Sequence, residues 1–258
     1  TELYRRFINC QDGLPPLDAA IFADTCEEGT LTYQHLRWLQ ALGGPTIIVC
    51  SKSKLGDDLL NGQNSDGGRF ASIPAFTSDG NGGTGQLRRQ CSKEYKLEPI
   101  ERAIRREVLG LQPRHRVPRG VKVHEYFGIS ADEAGRAVRI RERLRDHPWA
   151  VPHFPLVERF ITRADCARLI RNWAPHEVPR SACVFCPYHS DAEWIWLRDH
   201  DAPGWQRAVE VDRALREPGR MVQRSLRQPI YLHRSCIPLA EVIFQPKRYK
   251  VFYGGRGA

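Results

Sequence analysis

Cys183 and Cys186, in the stretch SACVFCPYHS, are the residues whose type and spacing most directly indicate chemistry. A Cys-x-x-Cys pair can give one metal ion two thiolates from a single turn. On its own, the pair is also compatible with an iron–sulfur centre, a redox couple or two core thiols that happen to be close. His189 follows three positions after Cys186 and is either a further ligand or a cap or surface residue.

A third cysteine, Cys91, lies within a basic stretch, LRRQCSKEYKLEPIERAIRR, which covers residues 87–106. Nearby cations stabilise a thiolate, so we expect Cys91 to be unusually reactive or a good metal ligand. The same cations would attract phosphate groups, and the alternative is a solvated basic helix face. The cations in question are Arg88, Arg89, Lys93 and Lys96.

Asp24 and Thr25 follow the apolar run in FADTCEE and are expected at the carboxyl end of a strand. Ligands of parallel α/β sheets bind outside the carboxyl ends of the strands, so both residues are candidates for contact with a nucleotide. The alternative is a helix cap, in which an Asp or Thr side chain accepts hydrogen bonds from free backbone amides.

The stretch GISADEAGR, residues 128–136, indicates a second candidate anion site. Gly128 and Ser130 precede an acidic pair, and Arg136 follows it. A loop that leads into a helix in this way often binds anions, although an ordinary helix cap has the same pattern.

The elements that must position these residues begin with a strand at 17–25, a helix at 27–42 and a strand at 45–51. Strand, helix and strand at this spacing predict a parallel βαβ unit. A short helix is predicted at 2–10, and the Gly-, Asn- and Ser-rich residues 61–86 are expected to form a mobile loop. Further along we predict a helix at 98–110, a strand within 116–130 and a helix at 131–146.

From about residue 150, strand patterns fade and helical patterns with several tryptophans follow. We therefore predict a nucleotide-binding α/β domain at 1–150 and a mostly helical, cysteine-bearing region at 151–258. The ambiguous stretch after residue 228 is not assigned.

Composition limits the environment and the partners. The net charge of +9 and isoelectric point near 9.3 indicate an anionic partner, either a nucleotide or a nucleic acid. Eight cysteines are too few for a disulfide scaffold of this length, so a reducing, cytoplasmic location is expected. No apolar run reaches the roughly 18 residues of a membrane span, and no membrane partner is predicted.

Several stretches, in the expected order, resemble the phosphoadenosine phosphosulfate (PAPS) reductase-like proteins. CSKEYKLEPI is similar to their Cys-Cys-x-x-Arg-Lys-x-x-Pro-Leu stretch, and FADTCEE with the later TYQHLRWL is similar to their Asp-Thr-Gly segment. GISADEAGR resembles their Gly-x-Arg-x-x-Glu-Ser-x-x-Arg segment, FPLVERFITRADCARLI their Pro-Leu-x-x-Trp-Thr segment, and SACVFCP their late Cys-x-x-Cys. The residues after 190 resemble a subgroup often encoded by phages and mobile elements.

The resemblance implies an adenine nucleotide alpha hydrolase fold, which is a Rossmann-like parallel sheet. It implies ATP or a related adenine nucleotide, with Mg²⁺, bound near Asp24, Thr25, Gly128 and Ser130. It also implies a 4Fe-4S cluster, as some members have, held by Cys91, Cys183 and Cys186. Arg88, Arg89, Lys96 and Arg136 would neutralise the phosphate charge that develops during reaction.

The chain departs from the family pattern at three places. The family's phosphate loop, Ser-Gly-Gly-x-Asp-Ser or a variant, should precede the first helix. The sequence starts where that helix is predicted to begin, so we expect a truncated or partial sequence. The Cys-Cys pair is Cys91-Ser92, which leaves three cysteine ligands, as in members that transfer sulfur to RNA or DNA. The reductases' late nucleophilic cysteine segment is missing, and only Cys236 lies late in the chain.

Three functions remain open on these grounds. The first is an ATP-pyrophosphatase-type enzyme that adenylates a substrate, such as a nucleic acid, for sulfur transfer with a sulfur-donor protein. The second is a sulfonucleotide reductase that uses Cys236. The third is a non-catalytic module with structural Zn²⁺ bound by the three cysteines and perhaps His189.

Overall fold

The structure, a computed structural model, describes residues 1–62, 73–79, 83–217 and 228–245. It is a mixed α/β protein, and no helix in these residues is long and apolar enough to cross a membrane. The helices are α1 (Glu2–Ile8), α2 (Thr30–Ala41), α3 (Leu55–Asn61), α4 (Glu98–Ala103), α5 (Ala134–Leu144), α6 (Pro155–Glu158), α7 (Arg163–Ile170), α8 (Asp191–His200) and α9 (Ala202–Ala214). The strands are β1 (Ala19–Ala23), β2 (Thr46–Cys50), β3 (Phe76–Ser78), β4 (Thr84–Gln86), β5 (Val123–Tyr126), β6 (Ala150–His153) and β7 (Ile230–Tyr231).

The predicted βαβ unit is confirmed in β1, α2 and β2. The two strands pair in parallel, with Ala19 opposite Thr46 and Ala23 opposite Cys50. The ladder continues for one residue, since Asp24 N donates to Cys50 O at 2.8 Å. Helix α4 packs on both strands, and Ala103 is buried with Ala23 and Cys50. This unit sets the direction in which Asp24 and Thr25 leave the sheet.

A second parallel pair is formed by β5 and β6, which α5 connects. Val123 pairs with Ala150 and Tyr126 with His153. Strand β5 and helix α5 were predicted, but the sequence gives little sign of β6, which has four residues including Pro152. The expectation that strands end near residue 150 is therefore wrong, because β6 begins there.

A single Rossmann-like sheet is not found in the described residues. The strands form three small sheets: β1 with β2, β5 with β6, and an antiparallel sheet in the order β4-β3-β7. The structure therefore supports the α/β class with parallel pairs and leaves the finer assignment open.

The prediction of a mobile loop over 61–86 is wrong for the residues that are described there. Strands β3 and β4 pair antiparallel, with Phe76 opposite Gln86, and Asp79 N donates to Gly83 O at 3.0 Å. The first residue of the predicted loop, Asn61, is instead the last residue of helix α3. Residues 63–72 and 80–82 of the predicted loop lie outside the described residues.

The basic stretch is helical from Cys91 onward. Helix α4 is flanked by two π-helical turns, Lys93–Leu97 and Ile104–Val108. A π turn shifts the side chains that follow it around the helix axis, and such turns are frequent at functional sites. Lys96 lies in the first of them.

The largest hydrophobic cluster joins the two predicted regions. It contains Leu55, Leu59 and Tyr95 from the first and Phe185, Trp194 and Val211 from the second, all nearly inaccessible. The predicted boundary at residue 150 therefore runs through residues that are packed together, and the cysteine turn is held in this shared core.

Candidate functional site

The Cys-x-x-Cys stretch forms a tight turn. Cys186 N donates to Cys183 O at 2.9 Å, and His189 N donates to Cys186 O at 3.0 Å. Phe185, between the two cysteines, is 1% exposed and anchors the turn in the core. Cys183 is buried and Cys186 half-buried, so the turn presents both thiols from one compact segment.

His189 holds this turn through both ring nitrogens. Its Nε2 lies 3.0 Å from Cys183 O, and its Nδ1 lies 3.2 Å from an Arg180 guanidinium nitrogen. Because a carbonyl only accepts and a guanidinium only donates, the imidazole is the neutral Nε2–H tautomer. Burial, reinforced by the charge of Arg180, lowers the pKa of His189 to about 4. With both nitrogens engaged, His189 positions the turn, and this geometry does not favour the Cys₃His zinc set.

The turn is docked on the carboxyl end of β1. Thr25 Oγ1 lies 3.1 Å from Cys183 Sγ, Glu28 forms an antiparallel bridge with Cys183, and Val184 N donates to Glu27 O at 2.7 Å. Burial, with the charge of Glu28, raises the pKa of the Cys183 thiol, so the isolated group is protonated at neutral pH. The predicted nucleotide residue Thr25 and the predicted metal ligand Cys183 are thus direct neighbours.

Glu28 is a buried carboxylate beside the thiols. Its side chain is 0% exposed; Lys96 Nζ lies 3.4 Å from one oxygen, and Ser181 Oγ donates to the other at 2.9 Å. Burial opposes the charge on Lys96, but Glu28, with Cys183 and Cys186, outweighs it and raises the Lys96 pKa. Lys96 is therefore a fixed cation at the cysteine turn.

Cys91 lies in the same region, although 92 positions separate it from Cys183 in the sequence. Cys91 and Cys186 both pack against the hydrophobic cluster that contains Cys183. Exposed Arg89 contacts the segment that follows the two cysteines, since its guanidinium carbon lies 5.4 Å from the ring centre of Tyr188. Arg88 is also exposed.

The prediction that its cations make Cys91 unusually reactive is wrong for the isolated thiol. Burial raises the Cys91 pKa more than Arg89 and Lys96 lower it. The sequence reveals the cations but not the burial that opposes them. Lys93, which was counted among these cations, is exposed.

The thiols of Cys91, Cys183 and Cys186 suit a soft metal, but they do not lie within bonding distance of a common metal ion. Three thiols are the ligands that zinc and iron–sulfur centres use. Within the described residues, no group of three or more His, Cys, Asp or Glu side chains is close enough to hold a metal ion. We therefore derive no reaction step through a metal or cluster.

Asp24 is half-buried at the end of β1. Its Oδ1 accepts hydrogen bonds from Cys26 N at 2.7 Å and from Tyr33 Oη at 2.9 Å. Cys26 has a φ of 59°, in the left-handed region that favours glycine. Its exposed thiol lies 3.5 Å from Ser51 Oγ, at the end of β2. A carboxylate, a thiol and a hydroxyl thus meet at the strand edge.

The N-terminus of α2 is closed by a carboxylate of the protein itself. Asp201 accepts from Thr30 N at 2.8 Å and from Thr30 Oγ1 at 2.9 Å, and also from Gly204 N at 3.1 Å in α9. A helix N-terminus after a strand often binds phosphate. Here the Asp201 carboxylate already takes the place of the anion. We therefore expect a phosphate group to bind elsewhere at the carboxyl ends of the strands.

Gly128, Ser130 and Arg136 lie after β5, apart from the cysteine turn. Ser130 is buried and precedes a short 3₁₀ turn, and exposed Arg136 pairs with Glu133 at 2.7 Å. A Cβ on Gly128 would meet Leu3 at an ordinary 3.9 Å, so no close approach requires glycine there. In the part of the chain that the structure describes, no hydrogen bond or ion pair links these three residues to the cysteine turn.

Sequence reasoning did not identify Glu28, Asp201 or the positioning role of His189. Glu28 had a signal, since an acidic pair directly follows the Asp-Thr-Cys stretch. The contact of Asp201 with Thr30 had none, because 171 positions separate the two residues. The ring partners of His189, Cys183 and Arg180, lie within nine positions, but residue spacing does not show which groups the ring contacts. Comparison with protein-family models, with curated proteins and with solved structures found no match to this chain.

Proposed function

We propose that this chain is a PAPS reductase-like enzyme of the ATP-pyrophosphatase type, with a Rossmann-like sheet, that adenylates its substrate for sulfur transfer. The observation that carries the proposal is the 3.1 Å contact between Thr25 Oγ1 and Cys183 Sγ. It joins the carboxyl end of a parallel strand, where nucleotides bind, to a turn that presents two thiols. Nucleotide chemistry and sulfur chemistry would share one edge.

Asp24 supports the nucleotide half of the proposal. Both of its hydrogen bonds go to Oδ1, and in the described residues Oδ2 has no partner. Oδ2 is therefore available to a ribose hydroxyl or to Mg²⁺ carried by ATP. Arg88 and Arg89 are exposed and would meet the phosphate groups.

In the proposed reaction, a substrate oxygen attacks the α-phosphorus of ATP. The bond to the bridging oxygen of pyrophosphate breaks, and pyrophosphate leaves. Hydrosulfide, supplied by a sulfur-donor protein, then attacks the substrate carbon that bears the adenylated oxygen. The bond between that carbon and oxygen breaks, and AMP leaves with the oxygen. Arg89 and Lys96 would stabilise the negative charge that accumulates in the first step.

Cys91, Cys183 and Cys186 would hold a 4Fe-4S cluster or Zn²⁺ if they come together around it. Such a centre would supply sulfur chemistry at this edge. Metal binding would release the thiol protons that burial now retains on Cys91 and Cys183. Lys96 would offset part of the resulting negative charge.

The two alternatives have less support. Burial raises the pKa of Cys236, so it is a thiol at neutral pH rather than the nucleophilic thiolate that a reductase needs. The zinc module with His189 as a ligand conflicts with the two hydrogen bonds of its ring.

Two measurements on the anaerobically purified chain test the proposal. We expect ATP with Mg²⁺ to bind more tightly than GTP, and Asp24→Asn to weaken binding at least tenfold, whereas Asp18→Asn, at an exposed position before β1, leaves it unchanged. We expect iron and acid-labile sulfide in wild type, and their loss in Cys91→Ser and Cys186→Ser.

Equal binding of ATP and GTP, or equal effects of Asp24→Asn and Asp18→Asn, would reject the nucleotide site. Zinc at one ion per chain without sulfide would reject the cluster and favour a structural metal. Full metal content in Cys91→Ser would remove Cys91 from the site.

A further inference from the structure

The positive charge of this chain is concentrated in two segments. Residues 102–122 and 134–145 together contain twelve arginines and lysines but only two carboxylates, Glu107 and Glu142. Their net charge of +10 exceeds the +9 of the whole chain, so the remaining residues together are slightly acidic. The basic composition is therefore a local property, not a uniformly basic surface.

The fold brings the two segments together at the amino ends of β5 and β6. Lys122 Nζ donates to Pro148 O at 2.6 Å, directly before these strands begin. His147 Nδ1 lies 3.8 Å from a carboxylate oxygen of Glu101, which precedes the first segment. Burial raises the pKa of Glu125 in β5, Arg143 and His147 lower it and Glu101 raises it, so all three lie near this carboxyl group. We call this surface the basic face: the exposed cations of residues 102–122 and 134–145.

These cations point to solvent. All twelve except half-buried Arg105 are exposed. Only Arg105 and Arg136 have a carboxylate within salt-bridge distance among the described residues, from Glu101 and Glu133 respectively. Ten exposed cations on two adjoining segments, without such partners, favour an external polyanion.

A groove adjoins the basic face between α5 and β6. It has a volume of about 500 Å³, and its lining includes Arg141, Arg145 and His147, one carboxylate, Glu142, and the apolar Val138 and Pro152. Arg141 is fixed above the Phe154 ring, with its guanidinium carbon 4.6 Å from the ring centre. The groove combines fixed cationic groups with apolar walls, as a phosphate with its attached sugar or base would require.

From these observations we infer that the basic face is a nucleic-acid docking surface that binds the phosphodiester backbone. Eleven of the twelve cations are arginine, whose planar guanidinium binds phosphate oxygens in pairs. The face lies at the amino ends of β5 and β6, whereas Gly128 and Ser130 follow the carboxyl end of β5. Apart from Arg136, which also belongs to the candidate site with Gly128 and Ser130, the face is therefore a docking surface separate from the candidate nucleotide site.

This inference deepens the proposed function, because it names the class of acceptor that would be modified. It does not need ATP, a metal or a sulfur donor. Binding is measured without them, so failure of docking and failure of the proposed chemistry give different results.

The test compares wild type with two variants of equal net charge. The basic-face variant carries Arg106→Gln, Arg116→Gln, Arg119→Gln and Arg145→Gln. The control variant replaces four exposed arginines elsewhere, with Arg37→Gln, Arg171→Gln, Arg198→Gln and Arg213→Gln. Fluorescence anisotropy with labelled 20-nucleotide single-stranded RNA, duplex RNA and duplex DNA gives the affinity at several salt concentrations, and circular dichroism confirms that each variant is folded.

We expect wild type to bind at least one of these probes, with an affinity that falls steeply as salt rises. The basic-face variant should lose at least tenfold in affinity at 0.1 M salt, and its logarithmic salt slope should become shallower by about 3 to 4, at roughly 0.9 for each phosphate contact. The control variant should keep most of the affinity and the slope. Equal losses in both folded variants would overturn the inference, since only net charge would then matter. Tighter binding to vesicles of phosphatidylserine than to every nucleic acid would also overturn it and assign the face to a membrane surface.

Discussion

Thr25 Oγ1 and Cys183 Sγ lie 3.1 Å apart, although 158 positions separate the two residues in the sequence. The contact is reinforced by the backbone bridge between Glu28 and Cys183. The strand edge and the cysteine turn therefore form one unit, and a change at either should be felt at the other.

We expect Thr25→Val, which removes the hydroxyl but keeps the shape, to reduce the free energy of unfolding by about 1 kcal/mol. The hydroxyl stabilises the Cys183 thiolate, so its loss should raise the pKa of that thiol further and slow its alkylation. Urea unfolding and mass spectrometry after timed alkylation measure the two effects. Thr84→Val, at an exposed position in β4, is the matched control, and equal effects of the two substitutions would contradict the proposed contact.

The parts of the fold that were predicted correctly depend on local patterns. β1 is a run of apolar residues, β2 is rich in β-branched residues, and α2 between them is long enough for a parallel connection. β6 and the two-residue β7 have no such local signal. They exist because β5 and β3 offer partners, and pairing over a distance is not visible in a short window of sequence.

The candidate site shows the same division. The residue types around Cys91 were evident from the sequence, but their energetic balance was not. Burial of Cys91 outweighs the cations beside it, and Lys96 is held by Glu28, which is 68 positions away. Residue spacing predicts which groups are available, whereas tertiary packing decides which of them interact.

Lys96→Met should leave the buried carboxylate of Glu28 without its cation. Breaking a fully buried pair costs about 3–5 kcal/mol, and because the Lys96 side chain is 31% exposed we expect a smaller loss, about 2 kcal/mol, at pH 7. Chemical denaturation measures it, with Lys93→Met, at an exposed position of the same π turn, as the control.

A double variant distinguishes the ion pair from simple packing. In a Glu28→Gln background there is no carboxylate to strand, so Lys96→Met should cost less than about 1 kcal/mol. The same loss in both backgrounds would show that the Lys96 stem, not its charge, stabilises the site.

His35 and His176 should make stability fall with acid. His35 Nδ1 lies 2.9 Å from His176 Nε2, and His35 is 7% exposed. Burial, followed by the charge of the Thr1 amino group and by His176, lowers the His35 pKa to about 4, and burial lowers that of His176. The unfolded chain binds a proton near pH 6.5 and the folded one near pH 4, so stability present above pH 6.5 is lost as the pH falls towards 4.

Urea unfolding at several pH values measures this loss, which we expect to reach about 1–3 kcal/mol by pH 4. His35→Gln keeps a hydrogen-bonding side chain without the titration and should make the slope between pH 6.5 and 4 shallower. His115→Gln, at an exposed position, should leave the slope unchanged. A slope in His35→Gln as steep as in wild type would assign the acid sensitivity to other groups.

Asp201 should be important for stability because one carboxylate caps two helices. It accepts hydrogen bonds from Thr30 at the start of α2 and from Gly204 in the first turn of α9, and it is 3% exposed. Each cap contributes about 1 kcal/mol, so Asp201→Ala should reduce the free energy of unfolding by about 2 kcal/mol or more, since buried amides lose their partner. Asp199→Ala, at an exposed position two residues earlier, should cost less than about 0.5 kcal/mol.

Asp201→Asn separates the hydrogen bonds from the charge. The amide keeps one oxygen acceptor, so a single cap survives and the loss should be intermediate between wild type and Asp201→Ala. Removing the carboxylate also opens the N-terminus of α2, and inorganic phosphate should then stabilise Asp201→Ala more than wild type in thermal unfolding. Equal stabilisation of both proteins by phosphate would show that the Asp201 carboxylate does not keep anions from the N-terminus of α2.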